Sequence, residues 1–74
     1  MIKELDIVAL SEPVPAENLE AGDVGTVVLV HDGGKAFTVE FTTFTGKTIA
    51  VITLDSDAVR PVRDREISHV RLVA

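Results

Sequence analysis

The chain has 74 residues, nearly half of them apolar, no cysteine, tryptophan or tyrosine, and a net charge of −5. That length makes one small domain, able to bury only about 60% of the surface its unfolded form exposes. Without cysteine there is no disulfide framework, thiolate zinc site or cysteine nucleophile, and the negative charge argues against a phosphate backbone as ligand, which needs a basic footprint.

From the N-terminus, "MIKELDIVALSEP" carries one lysine and a short apolar stretch ringed by acids, unlike a signal peptide. No apolar run approaches the ~20 residues of a membrane span. A cytoplasmic location is the expectation. "DIVAL" (Asp6–Leu10) reads as a short buried strand ended by "SEPVP", where Pro13 and Pro15 remove backbone donors and favour extended neighbours. "PAENLEAGD" holds one helical turn with Pro15 at its start, and Ala21-Gly22-Asp23 turns the chain back.

"GTVVLVH" (Gly25–His31) reads as the second strand, rich in β-branched residues that suit a pleated surface. "DGGK" supplies the left-handed conformations of a tight hairpin. The third strand, "AFTVEFT", alternates strictly, with Phe37, Val39 and Phe41 on one face and Thr38, Glu40 and Thr42 on the other. "TFTGK" is a second turn. "TIAVITL" (Thr48–Leu54) is a fourth strand whose near-continuous apolarity predicts partial cover on both faces. "DSDAV" makes a one-turn connector, and "VRPV" a fifth strand with Pro61 at an edge or strand end. "HVRLVA" offers Val70, Leu72 and Ala74 on one face and His69, Arg71 and Val73 on the other, as a sixth strand or a packed tail.

With only Phe37, Phe41 and Phe44 as aromatics, the core must come mainly from Val, Ile, Leu and Ala. The order of elements predicts an all-β fold: a small SH3-like barrel of five to six short antiparallel strands with one short helical turn, in a single domain. Residues 64–74 form its C-terminal strand or packed tail. Strongly curled sheets close because an open one leaves apolar edges exposed. An open meander completed by dimerisation through the tail is the rival.

Two resemblances follow from these blocks. "EAGDVGTVVLVHDGG" resembles the KOW-type segment of ribosomal proteins and transcription elongation factors. There a glycine between loop and strand lets the backbone turn tightly; Gly25 would be that glycine, and Val27 and Val30 the apolar positions. The basic residues of RNA-binding versions are replaced here by Glu20, Asp23 and Asp32. Over nearly the whole chain, "GDVGTVV", "VEF", "TIAVITL", "VRPV" and "EISHVRLV" resemble a family of short bacterial proteins known only as a domain of unknown function. That resemblance implies an SH3-like fold and no established activity. Small stand-alone proteins of this kind often sit beside a partner gene, including toxin-like ones, which extends the implication to a binding or antitoxin-like role.

Chemistry-bearing groups are sparse. His31, Asp32 and Asp23 offer too few grouped ligands for zinc, with His69 far along the chain. Asp55 and Asp57 lack the downstream glycine and glutamate of a calcium loop. Glu40, mid-strand, reads as a solvated acid rather than a general base. Ser11, Ser56 and Ser68 have no base at motif spacing, and "DGGK" is too short for a phosphate loop. Proline-recognising grooves use Tyr and Trp, both absent. The reading is a non-enzymatic module with no catalytic, metal or cofactor residues.

Charge is unevenly spread. Residues 1–57 hold three lysines against ten acids, a balance of −7; residues 58–74 hold four arginines against two acids, a balance of +2. This concentration of guanidinium groups nominates Arg60, Arg63 and Arg71, with His69 and the turn residue Phe44, as contacts for a protein partner. The function expected is protein interaction, in the form of a partner or antitoxin-like protein for a neighbouring gene product. The alternatives are a KOW-like nucleic-acid-binding domain and a structural barrel that self-associates through its C-terminal strand.

Overall fold

In the computed structural model, which describes residues 1–73, five strands form one antiparallel sheet: β1 (Ile7–Leu10), β2 (Val24–His31), β3 (Ala36–Thr42), β4 (Thr48–Asp55) and β5 (Val59–Pro61). Their spatial order is β4-β3-β2-β1-β5. Single 3-10 turns, Pro15–Glu17 and Ser56–Ala58, interrupt the long first loop and link β4 to β5. The fold is a small SH3-like barrel.

The curl comes from β2, which belongs to two pairings. Its first half faces β1, with Val8 opposite Gly25, and its remainder faces β3, with Val27 opposite Val39. A register shift between Val27 and Leu29 leaves Val28 as an extra residue, and such a bulge bends the strand and increases its twist. A second shift, between Phe41 and Thr42, bends the β3–β4 ladder before its turn.

Both hairpins use the expected turn chemistry. Asp32, Gly33 and Gly34 have φ of 49°, 68° and 107°, and the His31 carbonyl accepts the N–H groups of Gly34 and Lys35. In the β3–β4 turn, Gly46 has φ 91° and the Lys47 carbonyl accepts the Thr43 N–H at 2.8 Å.

Val8, Leu10, Leu19, Val27, Phe37, Val39, Phe41, Ala50 and Val59 make the core. Phe37, Val39 and Phe41 are buried as their alternation predicts. On β4, Ala50 is buried and Ile52 and Leu54 pack against the core, while Val51 is 54% exposed. That strand is therefore an edge covered mainly on one face. Leu19 carries the first loop into the core, where Val14 and Leu19 exchange both backbone hydrogen bonds.

Two readings of the chain change. Gly25 lies inside β2, as its place in "GTVVLVH" predicts, but the tight turn that the KOW-type resemblance implies there is not formed, and its φ is not positive. Close packing requires the glycine there: a Cβ would stand 2.5 Å from Cγ1 of Val39 and 2.9 Å from the carbonyl oxygen of Glu40. The second change concerns the tail. Residues 62–73 contain no strand, and Val70 and Leu72 are 73% and 94% exposed. Arg71 and Val73 are half-buried, so these two, rather than Val70 and Leu72, turn inward. Ala74 lies outside the described residues.

Candidate functional site

The first loop ends in a tight turn whose backbone is fixed to β1. The Leu10 N–H donates to the Asp23 carbonyl at 2.9 Å, and the Gly22 N–H donates to the Leu10 carbonyl at 2.8 Å. The Asp23 carboxylate closes this turn by accepting the Glu20 N–H at 2.8 Å. Its other face takes the Arg71 guanidinium, with Nε donating to Oδ1 at 2.9 Å and Nη2 donating to Oδ2. Arg71 also donates to the Asn18 carbonyl at 3.1 Å and lies 3.6 Å from the Glu20 carboxylate. Such fork-on-carboxylate pairs are among the stronger hydrogen-bonded ion pairs. The bonds from Arg71, opposed by partial burial and helped by the Glu20 N–H, hold the Asp23 carboxyl below the ordinary carboxylate range.

A groove of about 800 Å³ runs along this side of the barrel. One wall is the tail, residues 67–73; the other is the start of β2, the end of β3 and the β3–β4 turn. Ile7, Val24, Phe44, Ile67, Val70 and Leu72 all line it, and each is at least half exposed. Glu40 also faces the groove, and its carboxylate accepts the Thr48 hydroxyl at 2.9 Å. A smaller hollow, about 440 Å³, lies beside it between Pro13, Pro15 and Leu72, so Arg71 and Leu72 border both.

The sequence-nominated residues divide between two places. Phe44, 79% exposed at the turn, comes together with His69 and Arg71 at the groove. Arg60 and Arg63 lie at the end of the barrel where β5 gives way to the tail. There Arg60 forks onto Glu66 at 2.8 and 2.6 Å, and the Arg63 N–H donates to the same carboxylate at 2.7 Å. The Arg60 bonds, then the Arg63 N–H, lower the Glu66 pKa to about 2. Two of the three nominated guanidinium groups are thus engaged within the chain. Sequence reasoning missed Asp23 as Arg71's receptor, because a pair 48 positions apart leaves no local signal.

Elsewhere the polar groups satisfy one another. His31 Nε2 shares a 2.7 Å hydrogen bond with the Thr38 hydroxyl, itself 2.9 Å from that of Thr53. Among the described residues no three His, Cys, Asp or Glu side chains group as a metal site would require. No helix among them is long and apolar enough to cross a membrane.

The family described as Domain of unknown function (DUF4926) matches residues 4–61, and the chain belongs to it. Its match ends at Pro61, the last residue of β5; the tail with Glu66 and Arg71 lies beyond. No curated protein and no solved structure matches the chain.

Proposed function

We propose that this member of the family is a cytoplasmic, non-enzymatic protein-interaction module that binds through the groove beside the β3–β4 turn. One observation carries the reading. Among the described residues, 11 large apolar side chains stay exposed, and six of them line that single groove. Lone exposed apolar residues are ordinary on any surface, whereas a contiguous patch marks an interaction site. Phe44, projecting from a glycine-containing turn, is the aromatic anchor such an interface uses.

The non-enzymatic part is supported by how the ionisable groups are used. Asp23 holds Arg71, Glu40 holds Thr48 and His31 is bonded to Thr38. A product of a neighbouring gene, toxin-like or otherwise, is the first partner to try, which would make the chain antitoxin-like.

The experiment is affinity capture from the native host at physiological salt with the native chain and Phe44→Asp. A protein retained by the first and lost by the second supports the reading. Equal retention by both, or none by either with the chain monomeric, overturns it.

Self-association is a second reading, favoured by the unpaired outer edge of β4 with Val51 exposed on it. Light scattering separates the two, since a concentration-dependent dimer abolished by Val51→Lys would transfer the function to that edge.

A further inference from the structure

A charged contact ties the far end of the tail to the barrel, with Val73 half-buried two residues beyond Arg71. Ile67, Val70 and Leu72 are 93%, 73% and 94% exposed, and no residue from 62 to 73 is buried. The backbone hydrogen bond seen within residues 62–73 is local, from the Glu66 N–H to the Arg63 carbonyl. What spans from the far end of the tail to the barrel is the Arg71 guanidinium, on Asp23, Glu20 and the Asn18 carbonyl.

The receptor for that guanidinium is built without the tail. Asp23 is oriented by the Glu20 N–H and by the bonds that tie its turn to Leu10, and buried Leu19 fixes the loop next to it. Beside the carboxylates lies the apolar side of the groove, with Ile7, Val24, Phe44 and Ile49. An acidic receptor next to an apolar trough complements an extended segment in which an arginine stands between apolar residues. The chain's own Val70-Arg71-Leu72-Val73 has that pattern and lies there. Asp23 falls within the family match and Arg71 outside it.

We propose that the tail is an autoinhibitory stand-in for the partner. A partner segment carrying one arginine flanked by apolar residues displaces residues 66–73 and places its guanidinium on Asp23 and Glu20. The proposal rests on the protein-interaction reading and names the partner chemistry for the same groove. Because a site occupied in cis binds with an affinity reduced by the fraction of open molecules, releasing the tail strengthens binding in trans.

The probe is a fluorescent peptide copying residues 66–74, titrated into the full chain and into full-length Arg71→Ala. The variant binds the peptide about tenfold more tightly than the native chain. Replacing the peptide's own arginine by alanine, or adding Asp23→Asn to the variant, weakens binding by about tenfold or more. Arg71→Lys, which keeps the charge but not the planar fork, falls between native chain and Arg71→Ala.

Equal affinity for native chain and Arg71→Ala, or binding indifferent to the peptide's arginine, overturns the proposal. Should Arg71→Ala not fold, amide exchange on the native chain decides. Faster exchange at 66–73 with saturating peptide supports displacement, and unchanged exchange overturns it. A host protein captured by the native chain and undisturbed by excess peptide leaves the interaction reading standing and overturns this one. Displacement by the peptide with no host protein captured supports the receptor and removes the broader reading.

Discussion

Gly25 lies directly beneath Val39: a Cβ on the glycine would stand 2.5 Å from the valine's Cγ1, with Phe41 Cδ1 at 3.0 Å and the Glu40 carbonyl oxygen at 2.9 Å. Two of those neighbours are fixed, one as backbone and one as a fully buried side chain. Gly25→Ala therefore must push β2 away from β3, and over-packing of this kind costs about 1–3 kcal/mol. Urea denaturation of the variant checks this; a midpoint equal to that of the native chain would show that the sheet yields there without strain.

Leu10 is among the largest fully buried side chains, opposite Val59 of β5 and with its N–H on the Asp23 carbonyl. Leu10→Ala removes packing that the surrounding strands cannot fully restore, at about 2–5 kcal/mol. For a domain this small that is most of the stability. Val51→Ala, on the exposed side of β4, changes it by about 0.5 kcal/mol or less. Denaturation curves for the two variants should differ by the full core contribution, and similar curves would place the core elsewhere.

The Arg60–Glu66 pair makes a prediction with a definite sign. The Glu66 pKa falls from 4.5 to about 2 on folding, so its contribution is complete above 4.5 and is lost as pH drops through about 2. Asp23 is shifted in the same direction by Arg71, so the other attachment of the tail also loosens in acid. Carboxyl-carbon chemical shifts followed by NMR should give Glu66 a midpoint near 2, rising towards 4.5 in Arg60→Ala. A midpoint near 4.5 in the native chain would mean the fork is not held in solution.

Among the described residues, every buried apolar side chain lies in the span from Val8 to Val59. A chain ending at Pro61 should keep the native amide pattern for the five strands, with a denaturation midpoint close to that of the full chain. Circular dichroism and an amide spectrum are sufficient. Collapse of the truncated chain would show that residues 62–73 are part of the barrel's support.

These expectations also mark where reading the chain succeeds. Period-two alternation in "AFTVEFT" was sufficient to place Phe37, Val39 and Phe41 inside, because successive strand residues point to opposite faces. The left-handed φ values of "DGGK" were equally legible, since few residues other than Gly, Asn and Asp adopt them readily. Gly25 was legible as a requirement but not as a reason: nothing nearby in sequence indicates that Val39 lies over it.

Among the site residues, the turn chemistry placed Phe44 on a hairpin without saying whether the ring folds inward. The structure leaves it 79% exposed at a groove shared with His69 and Arg71. In the tail, alternation divided "HVRLVA" into two faces without saying which of them turns inward. A carboxylate 48 positions upstream holds Arg71, while Val70 and Leu72 stay exposed.

Local pattern by itself determined the strands, their turns, the inward residues of β3 and the all-β class, because those depend on backbone geometry within a few residues. Only the tertiary structure decided which surface is apolar, which arginines are engaged and where the tail lies. Those outcomes depend on groups that the sheet brings together from distant parts of the chain, and no spacing in the sequence encodes that distance.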